Sequence, residues 1–234
     1  MSVFESIRLG AGSGPQYLEE HLALLSAGCA ERAFPLDQDA LNAAGELLKS
    51  WKPSGEHGGD AFARIYVTAG DGAPTAPVVN GRIFIFIEPR ERPVKSSYAI
   101  TIAEDVCHPP FGGIKTGNYW MNLDVLQRAQ KRGRDEALLF NERAELVSAC
   151  VANVFLVHGS RIRTPSIECG ARAGVIRQRV IERFAVEQCS LFVQDIINAD
   201  EIFLTNSWIG VMPVASVRER MFPPAVFAPQ LADL

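Results

Sequence analysis

The chain has 234 residues, 47% of them hydrophobic and 21% charged, with a net charge of −4 at neutral pH. That length supports a large buried core in one or two domains, and the mildly acidic balance excludes a global pull toward nucleic acid or an anionic membrane surface. A small-molecule substrate is the better starting expectation.

Cys29, Cys107, Cys150, Cys169 and Cys189 form no C-x-x-C pair and no zinc-like spacing with histidine. They read as reduced thiols in a cytoplasmic protein without a metal site. The opening segment lacks the basic-then-apolar run of a secretion signal, and the apolar runs are far shorter than a membrane span.

Val3–Leu9 alternates apolar and polar residues, the two-residue period of a strand, and the Gly10–Pro15 cluster turns it. Tyr17–Ala33 places Leu18, Leu22, Leu25 and Cys29 on one helical face. Asp39–Trp51 repeats the pattern with Leu41, Ala44, Leu47 and Leu48, with Asp37 or Asp39 as N-cap and Pro53 as the stop. A loop over Pro53–Asp60 leads to strands at Phe62–Thr68 and Gly81–Ile87, joined by a Gly/Pro-rich connection. The charged, proline-bearing stretch Pro89–Pro93 reads as a linker. The expectation is a small N-terminal α/β domain over 1–93 and a larger C-terminal α/β domain over 94–234 that carries Lys115.

The second half opens with a strand at Tyr98–Ala103, then a loop from His108 to Gly113 that leads to Lys115. A helix follows over Tyr119–Lys131, stopped by Gly133. Strands are expected at Ala137–Phe140, Leu146–Val147 and Asn153–His158, a helix at Gly174–Phe184 and a strand at Glu201–Leu204.

Three features could carry chemistry. Lys115, after a glycine-rich approach and before a helix start, could lose its proton in a partly apolar site and form a Schiff base. Gly170–Arg177 runs into a helix whose free amides would bind phosphate, and Thr205-Asn206-Ser207 offers hydroxyls and more amides. Arg64, within a strand, could face an acidic ligand or lie on the solvated face. His21 and His108 suggest no role, and no Ser/His/Asp constellation is legible.

Five segments in order resemble the fold-type-IV pyridoxal-phosphate enzymes, the class IV aminotransferase and 4-amino-4-deoxychorismate lyase family. They are FESIRLGAGSGPQYLEEHLALLSAGCAERAF, IKTGNYWMNLDVLQRAQKRGRDEALLFNE, LVSACVANVFLVHGSRIRTPS, GARAGVIRQRVIE and ADEIFLTNSWIGVMPVASV. The resemblance implies a two-domain α+β or α/β fold, pyridoxal 5'-phosphate in the cleft between the domains, and a homodimer. It assigns Lys115 to the cofactor and to proton transfer, and Tyr119 to the cofactor ring hydroxyl. Val175, Ile176 and Ser207 would hold the phosphate. Arg64 and the amides of Trp208 and Ile209 would meet a substrate carboxylate.

Three positions depart from the family pattern. Ser148 stands where many members have a glutamate that keeps the ring nitrogen protonated. Leu24 replaces an arginine that binds phosphate, and Ile176 replaces a threonine common in aminotransferases. The loss at Leu24 is a charge-assisted bond of about 1.5–3 kcal/mol that Arg64, Arg172 or Arg177 would have to supply. The reading is a 4-amino-4-deoxychorismate lyase acting on a small amino compound with a carboxylate. An amino-acid aminotransferase is the alternative, and a non-catalytic homologue with weakened cofactor binding is the alternative of another class.

Overall fold

The computed structural model describes residues 1–52, 59–71, 79–107 and 113–234. Pro53, most of the Pro53–Asp60 loop, the Gly/Pro-rich connection and most of the loop around His108 lie outside the described residues.

In chain order the strands and helices begin β1 (Ser2–Gly10), β2 (Gly14–Pro15), α1 (Leu18–Glu31), α2 (Gln38–Ser50), β3 (Ala61–Thr68), β4 (Ile83–Pro89) and β5 (Tyr98–Val106). They continue α3 (Trp120–Lys131), β6 (Glu136–Phe140), β7 (Leu146–Ala149), β8 (Asn153–His158) and β9 (Arg161–Pro165). The last are α4 (Val175–Arg183), β10 (Val186–Cys189), α5 (Val193–Asn198), β11 (Glu201–Asn206), β12 (Gly210–Val217) and β13 (Arg220–Met221). This is a mixed α+β architecture, as the sequence led us to expect.

The chain forms two compact units. One is Met1–Pro93 with Ile114–Asn118, the other Val94–Gly113 with Tyr119–Leu234. Lys115 therefore belongs to the first unit, not to the C-terminal half. Its segment runs along β1: the Phe4 amide donates to the Lys115 carbonyl at 2.9 Å, and the Gly117 amide to that of Ser2 at 2.9 Å. Backbone pairing across a long sequence separation, which no local pattern reveals, decides the assignment.

In the first unit β2, β1, β3 and β4 form an antiparallel sheet. Val3, Ile7 and Leu9 of β1 pack with Ala63, Ile65 and Val67 of β3 and with Leu25 and Cys29 of α1 and Leu41 and Leu48 of α2. Asp37 caps α2, accepting the Asp39 and Ala40 amides, a contact of about 1 kcal/mol. His21, without a role in the sequence reading, is 1% exposed and hydrogen-bonds Glu5 Oε2 at 2.9 Å.

In the second unit the strands follow the order β10-β9-β8-β11-β12-β5-β6-β7, with β13 beside β12. Pairs β9/β10, β5/β12 and β5/β6 are parallel and the rest antiparallel. Strands β6, β8 and β11 are buried almost throughout, so they read as apolar runs, not alternation. Phe155, Val157 and Phe203 pack with Val180 of α4 and with Ala228 and Leu231 near the chain end. Cys107, Ala137, Leu139 and Cys150 pack under Val125 and Ala129 of α3.

Candidate active site

In the first unit Lys115 is partly buried, with Nζ 5.4 Å from the centre of the Phe4 ring, within range of a cation–π contact. The register of β1, β3 and β4 aligns Phe4 with Tyr66 and Ser6 with Arg64, then Tyr66 with Phe84 and Arg64 with Phe86. Side chains alternate along a strand, so these residues share the face opposite Val3, Ile7, Ile65 and Val67. Phe4 stacks on Tyr66 at 5.1 Å, Phe86 meets Tyr66 edge-on at 5.7 Å, and the Arg64 guanidinium sits 5.1 Å over Phe62. The strand pattern left Arg64 between two readings; the structure puts it on the same face as the ring that carries the Lys115 amine.

In the second unit Val175, Ile176 and Arg177 open α4, and Gly174 at its N-cap supplies no side-chain cap. Helix geometry leaves these first amides without intrahelical partners. Asn153 anchors the approach: its Nδ2 donates to the Arg172 carbonyl at 2.8 Å. A Cβ on Gly174 would come within 2.3 Å of Asn153 Oδ1, so a larger residue there would displace the Asn153 side chain. Gly113 adopts φ +81°, and a Cβ there would meet the Ala171 carbonyl oxygen at 2.6 Å, so that position requires glycine.

Asn153 also pairs with Thr205 across β8 and β11. Thr205 is 0% exposed, and among the described residues its hydroxyl has no hydrogen-bond partner. The next residue, Asn206, closes the turn: its Oδ1 accepts the amides of Trp208 at 2.8 Å and Ile209 at 2.9 Å. A substrate carboxylate approaching those two amides would have to share them with Asn206. Ser207 lies partly buried within the same turn.

Tyr119, the N-cap residue of α3, donates its hydroxyl to the Cys150 carbonyl at 3.1 Å. Burial holds its phenol well above the ordinary range; Glu136 and Cys150 add to the rise and Arg172 opposes it. Ser148 pairs with Leu139 across β6 and β7 and offers a neutral hydroxyl. Arg177 is 3% exposed, with Nη2 donating to the Pro165 carbonyl at 3.0 Å and Gln188 Oε1 at 2.8 Å. Arg177 Nη2 is therefore committed to protein acceptors, while Arg172 lies two residues before the α4 N-cap.

Sequence reasoning missed Glu136, the first residue of β6. Its buried carboxylate accepts amides from Ala137, Cys150 and Val151 at 2.9–3.1 Å. The signal was an acidic residue at the head of an apolar strand, which the pattern trimmed off by starting that strand at Ala137.

An uncapped helix start, a glycine packed against Asn153, a buried hydroxyl without a partner among the described residues and a nearby arginine make a donor set suited to a phosphate monoester. These residues fit the phosphate of the cofactor that the resemblance implied.

The family profile for amino-transferase class IV matches residues 2–217. The chain belongs to the class IV aminotransferase family. Members of this family are pyridoxal-phosphate-dependent aminotransferases and lyases. A chloroplastic branched-chain amino acid aminotransferase 2 from Humulus lupulus is 29% identical over 220 residues, covering 85% of this chain and 53% of that protein. The chain spans about half the length, or less, of the curated relatives it matches. Among solved structures, an aminotransferase from Brucella abortus bound to the cofactor PLP superposes with a TM-score of 0.85 at 23% identity, over 99% of this chain and 86% of that one. The 4-amino-4-deoxychorismate lyase of Pseudomonas aeruginosa superposes with a TM-score of 0.81 at 25% identity, over 99% and 88%. Like the fold itself, these likenesses bear out the fold-type-IV expectation. Among the described residues of this class IV chain, no helix is long and apolar enough to cross a membrane.

Proposed function

We propose that this class IV chain binds pyridoxal 5'-phosphate and acts as a 4-amino-4-deoxychorismate lyase, releasing pyruvate and 4-aminobenzoate. The cofactor assignment is carried by the uncapped start of α4 beside the unpartnered Thr205 hydroxyl. The lyase assignment rests on the turn Leu204-Thr205-Asn206-Ser207, followed by Gly210-Val-Met-Pro-Val214.

When bound, the cofactor supplies an electron sink for the substrate carbon. Lys115 holds it covalently and moves a proton at that carbon. The Val175 and Ile176 amides and the Ser207 hydroxyl bind the phosphate, with Arg172 providing the charge absent at Leu24. Tyr119 meets the ring hydroxyl. Arg64 and the Trp208 and Ile209 amides orient the substrate carboxylate. Ser148 gives the ring nitrogen a neutral neighbour, so the sink is weaker than one beside a carboxylate. In this reading the chain is a cytoplasmic homodimer, and light scattering of the purified protein checks the mass.

An amino-acid aminotransferase is the second reading, favoured by the name of the Humulus lupulus relative. Incubation with 4-amino-4-deoxychorismate separates the two. Pyruvate formed without any added keto acid supports the lyase, whereas turnover only with a keto acid present rules it out.

A further inference from the structure

Glu136 is 2% exposed, and among the described residues no cation pairs with its carboxylate. Oε1 accepts the Val151 amide at 2.9 Å, and Oε2 accepts the Cys150 amide at 2.9 Å and the Ala137 amide at 3.1 Å. The Val151 N–H and the Cys150 carbonyl are the two ends of one peptide group. At the far end that carbonyl accepts the Tyr119 hydroxyl at 3.1 Å and Asn122 Nδ2 at 2.9 Å. The following carbonyl, of Val151, accepts Asn206 Nδ2 at 3.0 Å, and Asn206 organises the Trp208 and Ile209 amides. One buried acid thus underlies both the tyrosine and the anion turn, and the reaction as described above makes no use of it.

We propose that Glu136 is a positioning residue: through the Cys150–Val151 peptide group it sets how firmly the Cys150 carbonyl keeps the Tyr119 proton, and so whether Tyr119 offers a proton or a lone pair to the ring oxygen of bound pyridoxal phosphate. The inference rests on the reading that Tyr119 meets that ring.

A negative charge bonded to the N–H end of a peptide group polarises it and strengthens the C=O end as an acceptor. A tyrosine hydroxyl has a single proton to give. With Glu136 charged, the carbonyl holds that proton and Tyr119 turns lone pairs to the ring. With Glu136 neutral, the carbonyl weakens and Tyr119 can donate to the ring oxygen. The titratable and charged groups facing this relay are Tyr119 at the start of α3, Cys107 after β5, Cys150 after β7, and Arg172 before α4. Burial pushes the Glu136 carboxyl up to about 7, against the pull of its amide donors, which brings the switch into the neutral range.

The test is a pH titration of the bound cofactor's absorbance in the wild type, Glu136→Gln, Tyr119→Phe and the double variant. Donation from Tyr119 stabilises the ring oxyanion, so Glu136→Gln is expected to lower the midpoint by about half a unit or more. In the Tyr119→Phe background the same substitution is expected to change nothing further. An unmoved midpoint, or an equal shift without Tyr119, overturns the proposal.

If the wild type forms no cofactor band at all, the functional reading fails separately. Amide exchange in the cofactor-free protein then decides the relay. Glu136→Gln should speed exchange at Cys150 and Val151 about tenfold or more, while Glu136→Asp, which keeps the charge, should retain a pH-dependent protection. Unchanged exchange at both amides also overturns it.

Discussion

Replacing Glu136 by glutamine removes a group whose ionisation couples folding to pH near neutrality. Burial raises its carboxyl from the ordinary 4.5 to about 7 in the folded chain. Between those values the folded state keeps a proton that the unfolded state has released, so stability falls as pH rises through the window. At about 1.4 kcal/mol per unit, the contribution lost between pH 4.5 and pH 7 is about 3 kcal/mol. Glutamine stays neutral throughout and has no such window. The expected outcome is that Glu136→Gln gains about 3 kcal/mol relative to wild type from about pH 4.5 to about pH 8, whatever its stability at the acid end. Urea unfolding at several pH values measures this, with equal slopes confirming that both proteins unfold the same surface. Stability curves that run parallel across the window would refute the claim that Glu136 carries a raised, buried titration.

Lys115→Ala is expected to abolish the visible absorbance band that wild type forms with pyridoxal 5'-phosphate, as a spectrum of each protein with added cofactor will show. Gly174→Ala should push the new methyl into Asn153 Oδ1, 2.3 Å away, and weaken cofactor affinity about tenfold or more, readable as a fluorescence Kd. Thr205→Val removes a buried hydroxyl that lacks a partner among the described residues. The cofactor-free protein should gain about 1–2 kcal/mol in urea unfolding while cofactor binding weakens, and a loss of stability without cofactor would contradict the assignment.

Elements with strong internal periodicity were legible, and those formed by pairing were not. The apolar faces of α1 and α3 and the alternation of β1 depend on neighbours a turn or two residues away, so local spacing finds them. β9, β10 and α5 went unread because they are short or carry polar residues that only their neighbours explain, and β12 because Pro213 interrupts its run. Gly10–Pro15, read as a plain turn, closes a two-residue strand pair at Gly14–Pro15. Pro89, read as linker, ends β4 on a sheet edge, where the missing amide costs no ladder bond.

By itself the sequence determined the family, because five ordered segments match its pattern and three of them preserve a backbone shape that a ligand needs: a glycine before a helix, an amide-rich turn, a lysine ahead of a helix start. Glycine and turn requirements are local, so they survive in the string of residues. Only the tertiary structure decided which unit holds Lys115, that Arg64 shares a face with Phe4, and that Asn153 joins the α4 start to Thr205. The partners of Glu136 could be found only there as well, because its three donors come from two segments that meet at one end of the β6/β7 pair. Long-range hydrogen bonds and burial set these relations, and neither leaves a mark on spacing along the chain.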